Sequence, residues 1–299
     1  MFRIATLVFT ALWSLQLPAQ PDALRGKLVS AGSDTLGSLS SLWAERVQAR
    51  HPEVLVQVRA IGSAAAPTAL IQGTADIGPM SRPMSPSERQ RFFQRYGYAP
   101  TAVPVAADEI AVFVHRDNPL ARVKLAELDA LFSSTRRCGY PRLLRDWRGV
   151  GAFDGLQPRP VSLYGRSAAS GTHSIFRQKV LCGGDFAPAV NRLVGSSAIV
   201  NAVARDPNGI GYASAGFVDA RVRAVRIVDG SDGRELRLSR ELLLYVNRPP
   251  TAALDSLVAA YLDLVLSREG QREVERAGYR PLPAPVVRNL RVSLGLDRG

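Results

Sequence analysis

Cysteine is scarce in this chain: there are two in 299 residues, beside three histidines and three methionines. So few thiols and imidazoles, set far apart, exclude a zinc site of the Cys/His kind. Aromatic residues make up 7%, too few to interleave stacking platforms with basic residues as a nucleic-acid groove requires. Positive charge is plentiful but scattered, mostly as arginine, and no run of five or six basic residues occurs. Nucleic acid is therefore not an expected partner. Past the N-terminus no apolar stretch is long enough to span a bilayer. There are no internal repeats and no low-complexity tracts.

What is present is ordinary globular material, 46% hydrophobic and 21% charged, with a formal charge of +12. The length suits about two domains of typical size, and the charge favours anionic partners. The first 23 residues, MFRIATLVFTALWSLQLPAQPDA, have an early Arg3, an apolar run from Ile4 to Leu17, and small residues near Ala19 and Ala23. That is the layout of a secretory signal peptide, too short to be a spanning helix. No lipid-attachment cysteine follows it, so no lipid anchor is expected. Export to an oxidising compartment makes a single Cys138–Cys182 disulfide the better reading of an even cysteine count. The pair would bracket the stretch YGRSAASGTHSIFRQKV, Tyr164 to Val180.

Strand and helix patterns alternate along the rest. GKLVSAG and VLVQVRA read as strands, and Leu36, Leu39, Trp43 and Val47 fall at the spacing of an amphipathic helix. ADEIAVFVHRDNP and RPVSLYG are further strands, and ALDSLVAAYLDLVLSREGQREVERAGYRPL holds one strong helix and a shorter one. This alternation predicts an α/β chain with mainly parallel sheets. In such sheets ligands sit where strands end and helices begin.

Three strand-to-helix turns are rich in hydroxyls: Ser33-Asp34-Thr35-Leu36, Gly62-Ser63-Ala64 and Ser170-Gly171-Thr172. Each offers backbone N–H groups at the positive end of a helix. Arg166, four residues before Ser170, adds a planar fork suited to two oxygens of a phosphate-like group. Gly171 permits close backbone approach. Together they point to an anion cradle.

On these residues the chain resembles the periplasmic phosphate-binding proteins of phosphate ABC importers, within the type II periplasmic binding proteins. The likeness runs from about Lys27 to Leu282 and includes AGSDTL, AIGSAAAPTALIQGTADIGPMSRPM, EIAVFVHRDNPL, YGRSAASGT and DPNGIGYAS. The Arg-x-x-x-Ser-Gly-Thr spacing is its most specific element. The resemblance implies two α/β lobes joined by a two-strand hinge, with the ligand between them. Residues 24–107 plus 234–299 would form the first lobe and 108–233 the second. It implies phosphate ligands at Thr35, Leu36 (through its N–H), Ser63, Arg166, Ser170, Gly171 and Thr172, and Ser81 and Arg82, at the place of a further family ligand pair, join them as candidates. It also implies a monomer that hands phosphate to a membrane permease, with no cofactor and no catalysis.

One departure stands out. Where the best-known members of the family carry Ser-Asp, and that carboxylate accepts the proton phosphate retains, this chain has Ser81-Arg82. Either another carboxylate takes that part, with Asp34, Asp108 and Glu109 as candidates, or Arg82 contacts the anion and favours the dianion. His173, three residues after Ser170, raises a hydrolase alternative, weakened by the absence of an orienting acid nearby and of a Gly-x-Ser-x-Gly elbow.

Overall fold

A computed structural model describes residues 24–150, 159–229 and 233–297; the expected signal peptide, residues 1–23, lies outside the described residues. The chain begins β1 (Gly26–Gly32), α1 (Gly37–Arg50), β2 (Val54–Ala60), α2 (Ala65–Ile71), β3 (Ile77–Met80) and α3 (Pro86–Tyr96). A 15-residue strand follows, β4 (Thr101–His115), then β5 (Arg122–Lys124) and α4 (Leu125–Phe132). Next come β6 (Ser162–Arg166), α5 (Gly171–Lys179), β7 (Asn191–Leu193), α6 (Ser196–Arg205), β8 (Gly209–Ser214), β9 (Val222–Asp229) and β10 (Arg234–Glu235). The chain then returns through β11 (Leu238–Val246) to α7 (Ser256–Val265), α8 (Arg268–Arg276) and α9 (Ala284–Leu294).

The sheet runs in the order β2-β1-β3-β11-β4-β8-β6-β7, with β9 branching from β4 and carrying β5 and β10. Pairing is parallel within β2-β1-β3 and within β8-β6-β7. It is antiparallel wherever β4 or β11 takes part. The expected mainly parallel sheet is thus two parallel halves spliced by an antiparallel pair. The reason lies in β4, whose first half pairs with β11 and whose second half pairs with β8 and β9. One strand serves both halves because its length exceeds what either needs.

Each half buries its own apolar face. Leu28, Leu39, Trp43, Val105, Leu244 and Tyr261 lie in one core, built from both ends of the chain. Val112, Phe132, Trp147, Phe176, Ile210 and Tyr212 lie in the other, built from the middle. α1 enters the first core through the stripe Leu39, Trp43, Val47, the spacing its sequence predicts. The Trp43 indole N–H donates to the Gly270 carbonyl, 3.1 Å, tying this helix to α8. α5 is fixed at its far end by the Cys138–Cys182 disulfide, Cα atoms 5.6 Å apart. Two helices escape the sequence reading: α3, opened by a Ser85/Glu88 capping box, and α9, opened by prolines and closed at Gly295. No helix among the described residues is long and apolar enough to cross a membrane.

Candidate functional site

The carboxyl ends of β1, β2 and β3 from one half face those of β6 and β7 from the other, and the turns leaving them meet. The Thr35 and Thr172 hydroxyls lie 3.3 Å apart, although 137 residues separate them. Ser63 Oγ lies 3.2 Å from Ser81 Oγ and accepts the Ser81 N–H at 3.1 Å. Gly171 packs into this group so closely that a Cβ there would sit 2.4 Å from Ser81 Oγ and 2.7 Å from Ser63 Oγ. Thr35, Ser63, Ser81, Ser170 and Thr172 are all buried. Leu36 is fully buried with its side chain in the first core, which leaves its backbone as the part available to the turn.

Arg166 ends β6 and is 1% exposed. Its Nη1 donates to Ser196 Oγ at 2.8 Å, its Nη2 contacts Asp34 Oδ2, and its Nε is buried without a partner. The Asp34 carboxylate is nine-tenths buried, and its second oxygen, Oδ1, has no partner either. Burial pulls the Arg166 pKa down, Asp34 raises it, and neighbouring Arg240 lowers it further.

Arg240 and Ser196 were not legible as site residues, and Asp108 was named only as a candidate proton acceptor. Arg240 on β11 is the register partner of Asp108 on β4. Its Nε and Nη2 donate to Asp108 Oδ2 at 2.8 and 2.6 Å, and Ser214 Oγ donates to Asp108 Oδ1 at 2.8 Å. Its Nη1 reaches Thr172 Oγ1 at 2.9 Å and the Ser81 carbonyl at 3.2 Å. Tyr279, from the segment after α8, donates to the Thr35 carbonyl at 2.6 Å. No local pattern flags an arginine in an alternating strand or a serine after Gly195 as neighbours of Arg166; only the sheet order brings them together.

Arg82 is the exception among the expected residues. Its guanidinium donates to both oxygens of Glu88, 2.7 Å each, and to the Pro83 carbonyl at 2.9 Å. Glu88 is the capping-box acid of α3, so helix formation itself holds the acid where Arg82 finds it. The backbone of Ser81 reaches the site; the arginine beside it is engaged elsewhere.

The donor polarity of the site follows from which atoms can only donate. A guanidinium and a backbone N–H have no acceptor. Ser63 Oγ accepts from Ser81 N–H, Ser170 Oγ from Thr172 N–H, and Thr172 Oγ1 from Arg240. Each of these hydroxyls thus has a donor-only partner on its oxygen, and the Ser63–Ser81 and Thr35–Thr172 pairs can each pass one proton on between them. A buried cluster of oriented donors with a guanidinium edge is matched to an oxyanion.

His173 offers little to a hydrolase. Ser170 spends its hydroxyl oxygen capping α5, while the His173 ring stacks on Phe186 with centroids 4.3 Å apart. Burial first, then Arg192, Arg177 and Arg166, push the imidazole pKa down to about 4.

The comparisons with known proteins agree with this geometry. A family model described as a PBP superfamily domain matches residues 17–269. The phosphate-binding protein PstS of Pseudomonas aeruginosa is 43% identical over 296 residues, spanning 93% of this chain and 92% of that protein. The chain belongs to the phosphate-binding-protein family of the PBP superfamily. A more distant relative is protein SphX of Synechococcus elongatus, 26% identical over 94% of this chain and 86% of that protein. Among solved structures, an ABC-transporter substrate-binding protein from Clostridium perfringens with bound phosphate superposes with a TM-score of 0.71. It is 24% identical over 86% of this chain and all of that one. An ABC-type phosphate transport receptor from Vibrio cholerae gives 0.65 at 23% identity, over 86% of this chain and all of that one. The periplasmic-binding-protein fold, two lobes with a cleft between, is therefore the fold of this chain.

Proposed function

We propose that this protein binds inorganic phosphate between its lobes and delivers it to a membrane ABC importer, without chemistry of its own. The ligand set is the Thr35 and Leu36 turn, Ser63, Ser81, Arg166, Ser170, Gly171 and Thr172, with the Arg82 side chain left out. The observation that carries the reading is the unpartnered Arg166 Nε in a buried group of hydroxyls that each already accept a hydrogen bond from a donor-only group. The expected lobe limits, 24–107 plus 234–299 and 108–233, are supported by the two cores over the described residues except near Leu238, which packs in the second core. The leader makes the protein periplasmic, and the cleft is complete within one chain, consistent with a monomer.

Selectivity rests on Asp34. Asp108 has both oxygens engaged, by Ser214 and Arg240. Of these two candidates, only Asp34 keeps a buried oxygen without a partner. A carboxylate oxygen only accepts, so it fits an anion that brings a proton, as phosphate does and sulfate does not.

Titration calorimetry on ligand-stripped protein tests the proposal with phosphate, arsenate, sulfate and molybdate. Heat is expected with phosphate and arsenate, and weak or no heat with sulfate. Arg166→Ala should weaken phosphate by a few kcal/mol, on the order of a hundredfold in Kd. Absence of binding to both phosphate and arsenate would sink the proposal.

A further inference from the structure

Arg240 lies on β11 opposite Asp108 of β4, the strand that serves both lobes, and its reach is unusual. It is buried to 2% on the side chain, its Asp108 partner to 1%. The Asp108 carboxylate takes Nε and Nη2 and is itself held by Ser214. That fixes the plane of the guanidinium and leaves Nη1, whose two protons go one to each lobe: Thr172 Oγ1 in the turn after β6, and the Ser81 carbonyl in the turn after β3. Both acceptors are groups that would repel an anion if turned towards it. A hydroxyl can present either its lone pair or its proton, and a carbonyl only its lone pair.

We infer that Arg240 is a positioning residue for the anion: from the hinge it turns the Thr172 lone pair and the Ser81 carbonyl away from the cleft, so that both turns present donors. It does so without adding net charge, because Asp108 neutralises it. Thr172 then directs its proton either at Thr35 Oγ1 or at the ligand, and in the first case Thr35 passes its own proton on. Both lobes are oriented by one group, so the donor shell is complete only when the lobes are together. This rests on the phosphate reading of the cleft.

The test is phosphate calorimetry and thermal melting on the full mature chain with Arg240→Lys, the pair Asp108→Asn/Arg240→Gln, Thr172→Ala, and the triple combination. The paired change removes both buried charges at once, so no carboxylate is left stranded. It should lower phosphate affinity by about tenfold or more, the cost of one misdirected hydrogen bond to a charged ligand. Because Arg240 acts through Thr172, its loss should be much smaller when Thr172→Ala is already present; that non-additivity is the readout a purely structural role would not give. If the pair fails to fold, Arg240→Lys decides. It keeps the charge opposite Asp108 but lacks the planar fork, and about tenfold weaker binding is expected. Wild-type affinity in the paired or lysine variant, or losses that simply multiply in the triple, would overturn the inference. A wild-type protein that takes up no phosphate would instead remove the reading of the cleft itself.

Discussion

Asp34 places a carboxylate against the same guanidinium that is offered to the ligand. Without a proton from the ligand, that carboxylate would repel any dianion bound at Arg166, and in a buried site such repulsion is weakly screened. With one, the free Oδ1 accepts a hydrogen bond that no sulfate can supply. Asp34→Asn should therefore change the ratio of affinities more than either affinity: the phosphate-to-sulfate preference should fall by about tenfold or more. Competition calorimetry at fixed pH measures this, and an unchanged ratio would show that another group reads the proton. The sequence already named Asp34, Asp108 and Glu109 for this part because all three carry the right chemistry. It could not choose, since the choice turns on Asp108 being spent on Arg240 and Ser214, contacts spanning 132 and 106 residues. Arg82 was misleading for a parallel reason. Its partner Glu88 is six residues on, but the pairing depends on α3 starting at Ser85, and that helix went unread.

At the scale of elements, closure depends on how nearly two turns can touch. Gly62, after β2, holds φ at +111°, and a Cβ there would fall 2.8 Å from the Ala169 carbonyl oxygen of the facing lobe. The neighbouring Ala64 N–H donates to that same oxygen at 3.1 Å. A side chain at this position would be strained in itself and would wedge the lobes apart. Gly62→Ala should keep both cores yet weaken phosphate by about tenfold or more, since only the closed state completes the shell. Small-angle scattering should show a larger radius of gyration at saturating phosphate than for the wild type. Equal affinity and equal compaction would mean that this contact is incidental to closure. The turns themselves were legible, because Gly-Ser-Ala and Ser-Gly-Thr after β-branched runs are local signals. The hinge was implied only by family resemblance: nothing in the residues of β4 announces that its two halves pair with different partners, one with β11 and the other with β8 and β9.

At the scale of the whole molecule, 38 basic residues stand against 26 acidic ones, and some of the former act on a single imidazole. Arg166, Arg177 and Arg192 all bear on His173, whose burial and stacking on Phe186 hold it neutral. This has a consequence for stability with a definite sign. An unfolded histidine titrates near 6.5, whereas in the fold His173 does so at about 4. Between those values the unfolded chain binds more protons than the folded one, so stability rises with pH. The contribution is fully present above about pH 6.5 and is progressively lost as pH falls towards 4, reaching about 2–3 kcal/mol. Other carboxylates titrate in the lower part of the same window, so the wild-type curve alone is not diagnostic. His173→Gln removes the titration while retaining much of the planar shape. The stability of the wild type minus that of the variant, from urea unfolding at pH 7.5 and 4.5, should fall by about that amount on acidification. A difference that stays constant with pH would mean that the imidazole is solvated and feels neither burial nor the neighbouring arginines.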